Sequence, residues 1–225
     1  GQTLASASWD ETIILWDVSV ERWKARACRA AGRNLTWSEW QQYMGSDEPY
    51  AETCDDFPMH ASVVAAVVEE GEQLARAGNI ISATQTFSDA LAFDPTLEFT
   101  PKVRAKQVYA AALVDAGDEL ARDGHVITAT QKFSDALAFD PTLSFSPQQR
   151  AGELAAEPLL EEGEQLARDG HIITATQKFS DALAFDPSLS FSPQQRAGEL
   201  AAEPLVDEGK RLARAGYIIS ATQKF

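Results

Sequence analysis

The sequence has few of the features that mark secreted, membrane or disulfide-rich proteins. It contains two cysteines among 225 residues, which is too few for a disulfide framework and fits a reducing compartment. No apolar run approaches the roughly 18 residues that predict a membrane span. The chain does not open on a basic region followed by an apolar core, as a signal peptide would. We therefore expect a cytoplasmic protein.

Positive charge is also scarce. There are 19 Lys and Arg residues against 34 Asp and Glu, which gives a net charge of -15. An acidic chain repels phosphate groups, so nucleic acid and anionic membranes are poor partner candidates, and a basic protein or peptide is a better one. The alternative is that the acidity serves solubility alone. With 44% apolar residues, the composition is that of a folded protein.

Catalytic motifs are missing as well. The chain has no Gly-rich phosphate loop ending in Lys-Ser/Thr, no Gly-x-Ser-x-Gly and no His-Glu-x-x-His. His125 and His171 occupy one repeat position, which holds Asn79 and Tyr217 in the other copies. A metal-binding or catalytic histidine would not be replaced by these residues within one array. We expect these histidines to be surface residues at helix caps.

Cys28, Cys54 and His60 could supply three zinc ligands, but the paired Cys-x-x-Cys spacing of zinc sites is missing. The other interpretation, which we favour, is two ordinary packed thiols. We predict no catalytic, cofactor-binding or metal-binding residue, and a protein that is not itself an enzyme.

What the sequence does contain is a repeat of 46 residues. Residues 159–204 restate residues 113–158 with seven differences, of which all but Ala116/Glu162 are conservative. An earlier copy spans 67–112 and a truncated one spans 205–225. Both ends of the chain look cut, because it has no initiator Met and stops within a repeat at Phe225. We expect a fragment of a larger protein.

Each copy carries the signals of two helices. Ser146-Pro147-Gln148-Gln149 is a helix start, apolar and small residues then follow at a period near 3.6, and Gly170 is a left-handed stop. A second helix is predicted over Ile172–Phe185, with Phe191 and Leu189 plugging the gap to the next repeat. Pro158 either begins a new helix or bends a long one. Because copy one has Ala112 there, we favour one long first helix, bent at Pro158 and Pro204.

These offsets resemble the tetratricopeptide (TPR) pattern of Gly, Leu, Gly, Ala, aromatic, Ala and Pro. The resemblance implies a TPR-like α-solenoid of helix-pair repeats over residues 61–225, with small residues admitting close helix contact and aromatics filling the space opposite. The copies are about 12 residues longer than the 34 of a TPR, so the first helix is elongated. The pattern residues are Gly71, Gly78, Ala83, Phe87 and Pro95; Gly117, Gly124, Ala129, Phe133 and Pro141; and Gly163, Gly170, Ala175, Phe179 and Pro187.

Residues 1–18 predict two strands, 4–8 and 12–18, around a turn at 9–11. They resemble half a blade of a WD-repeat propeller, with Trp16-Asp17 as the signature dipeptide. The resemblance implies that Asp10 bonds to a Ser of the first strand, Ser6 or Ser8, and to Trp16, with further blades upstream because a lone hairpin is marginal in water.

Residues 19–60 predict a helical connector. One helix covers Val20–Ala31 and ends near Gly32, and residues 36–39 form a capping box for another helix, with Trp40 and Tyr43 facing inward. The string around Arg33-Asn34-Leu35-Thr36 and Thr53-Cys54 resembles the segment after the last propeller blade of large bacterial multidomain signalling proteins, in which an ATPase, protease or kinase module lies upstream.

Acidic residues recur on the first helices at i, i+3 spacing, with arginines one turn on. In a TPR this face lines the concave groove. One interpretation is a solvated face with internal Glu–Arg pairing, and the other is a groove for a basic or mixed-charge segment. The candidate binding residues are Glu69, Glu72, Asp115, Asp118, Glu161, Glu164 and Asp207, with Arg122 and Arg168.

The hypothesis that follows is a non-catalytic scaffold that binds protein or peptide, as part of a larger WD-repeat/TPR sensor or adaptor. A structural spacer or self-association module is the alternative. An accessory region of an enzyme, with its catalytic domain upstream, is the third.

Overall fold

The computed structural model describes residues 1–45 and 48–224 and is mainly helical, with a small antiparallel sheet of two strands at the N-terminus. This confirms the predicted fold class at that level. The chain forms two compact units, Gly1–Val108 and Tyr109–Phe225, and their boundary lies within one helix. The predicted domain limits at 18 and 60 stay predictions, and Ser46, Asp47 and Phe225 lie outside the described residues.

The two strands are β1, Thr3–Ala7, and β2, Ile13–Asp17. They pair from Thr3 opposite Asp17 to Ala7 opposite Ile13, and every strand residue is exposed. The hairpin is confirmed, but the bonds predicted around its turn are only partly right. The indole N–H of Trp16 donates to Ser6 Oγ at 2.8 Å and not to Asp10, so the predicted bond between Asp10 and Trp16 is wrong. Asp10 accepts from the backbone N–H and the hydroxyl of Thr12 at 3.1 and 2.6 Å. These bonds and a side-chain hydrogen bond with Ser8, one of the two predicted serines, lower the pKa of Asp10.

Two short helices follow the hairpin. Helix α1, Val20–Ala31, ends at Gly32 with a φ of 67°. Helix α2, Trp37–Met44, begins with the predicted capping box, in which the side chains of Thr36 and Glu39 bond each other's backbone N–H. Trp40 is buried, but Tyr43 is 69% exposed, so the prediction that Tyr43 faces inward is wrong.

The connector is held by a disulfide and by Asn34. The prediction of two separate thiols is wrong, since Cys28 of α1 is bonded to Cys54. Asn34 is fully buried, and its amide oxygen accepts from the backbone N–H groups of Thr53 and Cys54 at 2.9 and 2.7 Å. Its amide nitrogen donates to the carbonyls of Cys54, Phe57 and Pro58. One side chain thus closes a loop that has no regular structure of its own.

The repeats are pairs of helices, a first one that is long and a second one of about four turns. Helix α7 runs without interruption through Pro158 and α9 through Pro204, which confirms one long first helix; the bend stays a prediction. The pairs are α3, Ala61–Arg76, with α4, Ile80–Phe93; α5, Pro101–Arg122, with α6, Val126–Phe139; α7, Pro147–Arg168, with α8, Ile172–Phe185; and α9, Pro193–Arg214, with α10, Ile218–Thr222.

The turn between the helices of a pair depends on glycine. Gly170 has a φ of 84°, a left-handed conformation that glycine adopts without a steric cost, and the turn glycines of the other copies have the same sign. The N–H of His171 then bonds back to the carbonyl of Leu166 at 2.8 Å. The predicted left-handed stop is therefore present.

Small residues let the two helices of a pair touch. A Cβ atom added at Gly163 would lie 2.8 Å from the ring of Phe179, which is fully buried between Ala167, Ala175 and neighbouring apolar groups. Phe191 from the following connection packs edge-on against Phe179, with 5.7 Å between ring centroids, as the sequence predicted. The corresponding contacts recur between Gly71 and Phe87 and between Gly117 and Phe133.

Candidate protein-binding surface

The acidic pairs of the first helices each have an inner and an outer member. The inner carboxylates are partly buried, and the outer ones, one turn earlier in the helix, are exposed. The i, i+3 spacing on helices of this length accounts for this difference, because the two positions are displaced around the helix. The inner members are Glu72, Asp118 and Glu164, and the outer members are Glu69, Asp115 and Glu161.

Every inner carboxylate is paired with an arginine that lies 32 residues further on, in the next first helix. Arg150 grips Asp118 with two parallel bonds, from Nε at 2.8 Å and from Nη2 at 2.7 Å. Arg196 bonds Glu164, and within the first unit Arg104 bonds Glu72. These ion pairs tie one first helix to its successor.

Two of these arginines, Arg150 and Arg196, also lie against aromatic rings. The guanidinium carbon of Arg150 is 5.4 Å from the ring centroid of Phe133 and 5.2 Å from that of Phe145. Such contact with aromatic faces is favourable for a guanidinium that remains charged. The hydrogen bonds that Arg150 donates to Asp118 raise the pKa of Arg150, and the hydrogen bond that Arg196 donates to Glu164 lowers the pKa of Glu164.

The predicted arginine partners are right for two helices and different for a third. Arg76 pairs with Glu72 of its own helix at 2.7 Å. Arg168 bonds Glu164 of its own helix at 3.1 Å. Arg122 does not bond Asp118, and its closest carboxylate is Glu157 at 3.9 Å. The partners that the sequence interpretation missed are Arg104, Arg150 and Arg196. Their regular spacing of 46 residues was the signal that could have found them.

A cleft of about 600 Å³ opens along this face of the second unit. Its apolar part comes from Leu154, Ala156, Leu160 and Leu189. Six carboxylates and two guanidinium groups surround these apolar side chains, so the lining is acidic. The charged residues that line it are Asp118, Glu153, Glu157, Glu161, Glu164 and Asp186, with Arg122 and Arg150.

A second cleft of about 550 Å³ lies on α9. It is formed by the same repeat positions 46 residues later, with Ala202 and Val206 as the apolar side chains and Glu199, Glu203, Asp207 and Lys210 as the charged ones. Lys210 stands where the earlier copies have an acidic residue, and it lies 3.4 Å from Asp207. The cleft is thus a repeated feature of the first helix and not an irregularity of one copy.

Some carboxylates of these clefts form hydrogen bonds or ion pairs within the chain, and others do not. Asp118 and Glu164 are committed to arginines, while Glu153 and Glu199 accept from a glutamine one turn earlier at 2.8 and 2.9 Å. Within the described residues, Glu161 and Glu203 have neither a hydrogen bond nor an ion pair. The candidate binding site therefore shifts from the inner acids to Glu161, which is an outer acid, and to Glu203, which occupies the repeat position of Glu157.

The histidines have the predicted positions. His125 and His171 are exposed N-cap residues whose side chains make no cap bond. Across residues 1–45 and 48–224, no group of three His, Cys, Asp or Glu side chains could hold a metal ion. In the same ranges, no helix combines the length and the apolar character that crossing a membrane requires.

No protein-family model matches this chain, and no curated protein matches it either.

Proposed function

We propose that the chain is a non-catalytic protein-binding module, a TPR-like solenoid, and that the clefts of its first helices take a basic segment of another protein. The observation that carries this proposal is the recurrence of one cleft at the same repeat positions in the second unit, each time with apolar side chains between carboxylates. An apolar floor with an acidic border suits a segment that alternates Lys or Arg with apolar residues.

The distribution of ion pairs supports the assignment of Glu161 and Glu203 to binding. Glu164 is shared between Arg168 and Arg196, so an incoming cation would have to displace bonds that already exist. Glu161 and Glu203 are exposed and have no such partner within the described chain. A ligand cation can pair with them without breaking an internal contact, which makes them the residues that contribute to affinity.

The role in a larger protein is part of the same proposal. The hairpin with its Trp16-Asp17 dipeptide resembles half a WD blade, and the repeats resemble TPRs. We infer a cytoplasmic sensor or adaptor in which the repeats recruit a protein partner and carry no chemistry of their own.

The test is a binding titration with synthetic peptides. We would measure fluorescence anisotropy of a labelled peptide of Lys and Leu residues and of a peptide of the same length in which Glu replaces every Lys. The Lys peptide is expected to bind, and to bind more weakly at 0.5 M salt, because exposed ion pairs are screened over about 10 Å already at 0.1 M salt.

Two variants and one matched control locate the binding surface. Glu161→Gln and Glu203→Gln each remove one cleft carboxylate that has no internal partner within the described residues, and each is expected to weaken binding about two- to fivefold, as is typical for an exposed ion pair. Glu162→Gln is the control, because Glu162 is adjacent in sequence but pairs with Lys178 of α8 at 2.7 Å and does not line the cleft. Equal binding of both peptides, or equal effects of Glu161→Gln and Glu162→Gln, contradicts the proposal.

A structural spacer is the second candidate, and the ion pairs between successive first helices are the observation that favours it. A chain whose acids serve only to join repeats would bind neither peptide. That result would select the spacer.

A further inference from the structure

We propose that the Cys28–Cys54 disulfide is a site of reversible thiol–disulfide exchange with a dithiol reductant, and that its reduction releases the N-terminal arm from the rest of the connector, residues 33–60. The N-terminal arm is defined here as β1, β2 and α1. The proposal concerns only the first compact unit and does not depend on the binding function of the repeats.

The two sulfurs are in different environments. Cys54 is only 5% exposed, and its backbone is hydrogen-bonded to the buried side chain of Asn34. Cys28 is partly exposed on α1. A cleft of about 320 Å³ opens onto Cys28, with Glu21, Lys24, Ala25, Asp55 and Asp56 as its other lining residues. Cys54 is not part of that lining. An attacking thiolate can therefore reach the sulfur of Cys28 and not that of Cys54.

The exchange follows from this access. The thiolate of the reductant attacks Sγ of Cys28, the Cys28–Cys54 bond breaks, and Cys54 leaves and takes up a proton because its surroundings are buried. The second thiol of the reductant then attacks the mixed disulfide and frees Cys28, which is protonated in turn. The protein has gained two electrons and two protons, and the reductant has been oxidised to its disulfide.

Within the described residues, few contacts other than the disulfide join α1 to residues 33–60. None of the residues of α1 is buried, and Val20 and Trp23 are 68% and 53% exposed. Within the described residues, the ion pair from Lys24 to Asp55 at 3.0 Å also joins α1 to the residues around Cys54, and both of its side chains are exposed. Exposed pairs of this kind contribute little to stability. The disulfide is therefore the main tie.

Within the arm, the hairpin is joined to α1 by side-chain bonds. Arg22 of α1 bonds Gln2 at 2.6 Å and pairs with Asp17 of β2 at 3.2 Å, and Ser19 caps the helix between them. Asn34 stays bonded to the loop after reduction, because its six bonds involve no sulfur atom. Reduction should thus free the arm as one piece while the connector loop remains folded.

A sparse cysteine content fits a reducing compartment, where disulfides are usually transient and serve catalysis or sensing. A bond with one accessible sulfur, and with a poorly packed helix on one side, fits such a transient role. A bond that only stabilises the fold would be expected between two buried sulfurs.

The test combines thiol counting with hydrogen exchange of the full chain. The oxidised chain is expected to show no free thiol, and the chain in dithiothreitol is expected to show two without denaturant. Amide exchange over residues 20–31 should rise about tenfold or more on reduction, as for a helix that loses its remaining tertiary contact. Residues 172–185 of α8 serve as the internal reference and should not change.

Two variants distinguish the loss of the Cys28–Cys54 disulfide from a general loss of structure. Cys28→Ser, on the accessible side, should reproduce the exchange of the reduced chain and should not respond to dithiothreitol, while Lys24→Ala should retain the oxidised pattern. If the thiols react only in denaturant, the bond is structural and the proposal is overturned. The proposal is equally overturned if reduction leaves residues 20–31 unchanged, or if air oxidation leaves both thiols free.

Discussion

Replacing Gly152 and Gly198 by alanine tests the packing of the long first helix, because the two residues share one repeat position and one local sequence. Both stand within Arg-Ala-Gly-Glu-Leu-Ala-Ala-Glu-Pro. A Cβ atom at Gly152 would lie 2.3 Å from the carbonyl oxygen of Phe185, at the end of α8. At Gly198 nothing lies within 4 Å.

The two substitutions should therefore have opposite signs. Alanine is better than glycine in a helix by about 1 kcal/mol, so Gly198→Ala is expected to raise the free energy of unfolding by about 0.5–1 kcal/mol. Gly152→Ala gains the same helix propensity, but its methyl group forces a backbone carbonyl aside. Overpacking of this kind costs roughly 1–3 kcal/mol. Because a backbone group cannot rotate away as a side chain can, we place the net effect near the upper end, at about 1–2 kcal/mol of destabilisation.

The measurement is urea and thermal unfolding followed by circular dichroism at 222 nm. For a chain of this length, 1 kcal/mol corresponds to about 2–4 °C in Tm, so the two variants should differ by several degrees. Midpoints that move in the same direction, or a Gly152→Ala chain as stable as the parent, would refute the close contact between α7 and α8.

Three further predictions concern the connector and the ion pairs. Asn34→Ala should destabilise the first unit by about 3 kcal/mol or more, because several buried backbone groups lose their partner at about 1–3 kcal/mol each, and loss of exchange protection over residues 53–58 would show it. Arg150→Met should lower the free energy of unfolding by about 1–2 kcal/mol, while Arg122→Met, whose pair is 3.9 Å apart, should change it by less than about 0.5 kcal/mol in urea titrations. The hydrogen bond from Arg33 lowers the pKa of Glu39 to about 2. The stabilisation of the folded chain by this ion pair is therefore complete above about pH 4.5 and is lost as the pH falls towards 2. In Arg33→Ala the pKa of Glu39, followed by carbon-13 NMR, should rise, and an unchanged value would refute the pairing.

The elements themselves could be predicted from the sequence because their signals are local. The Ser146-Pro147 start, the Gly170 stop and the capping box at Thr36 act within a few residues, and each lies where the sequence predicted it. The long first helix could also be inferred, because a copy with Ala112 in place of the proline showed that the segment can be continuous.

Partner choice between distant residues could not be predicted in this way. The periodicity identified the carboxylates of the first helices but assigned Asp118 to its own helix, whereas Arg150 reaches it from the next one. The pairing of Cys28 with Cys54 and the exposure of Tyr43 are equally questions of where separate segments meet. Sequence spacing does not report such distances, since they depend on how elements pack.

The 46-residue period, the helix pairs and the acidic face were determined by the sequence alone, because apolar spacing, caps and charge are properties of the local chain. The tertiary structure decided which of those acids form ion pairs within the described chain and which do not. Close packing brings an arginine of one first helix onto the inner carboxylate of its predecessor, and this pairing leaves Glu161 and Glu203 exposed beside the clefts.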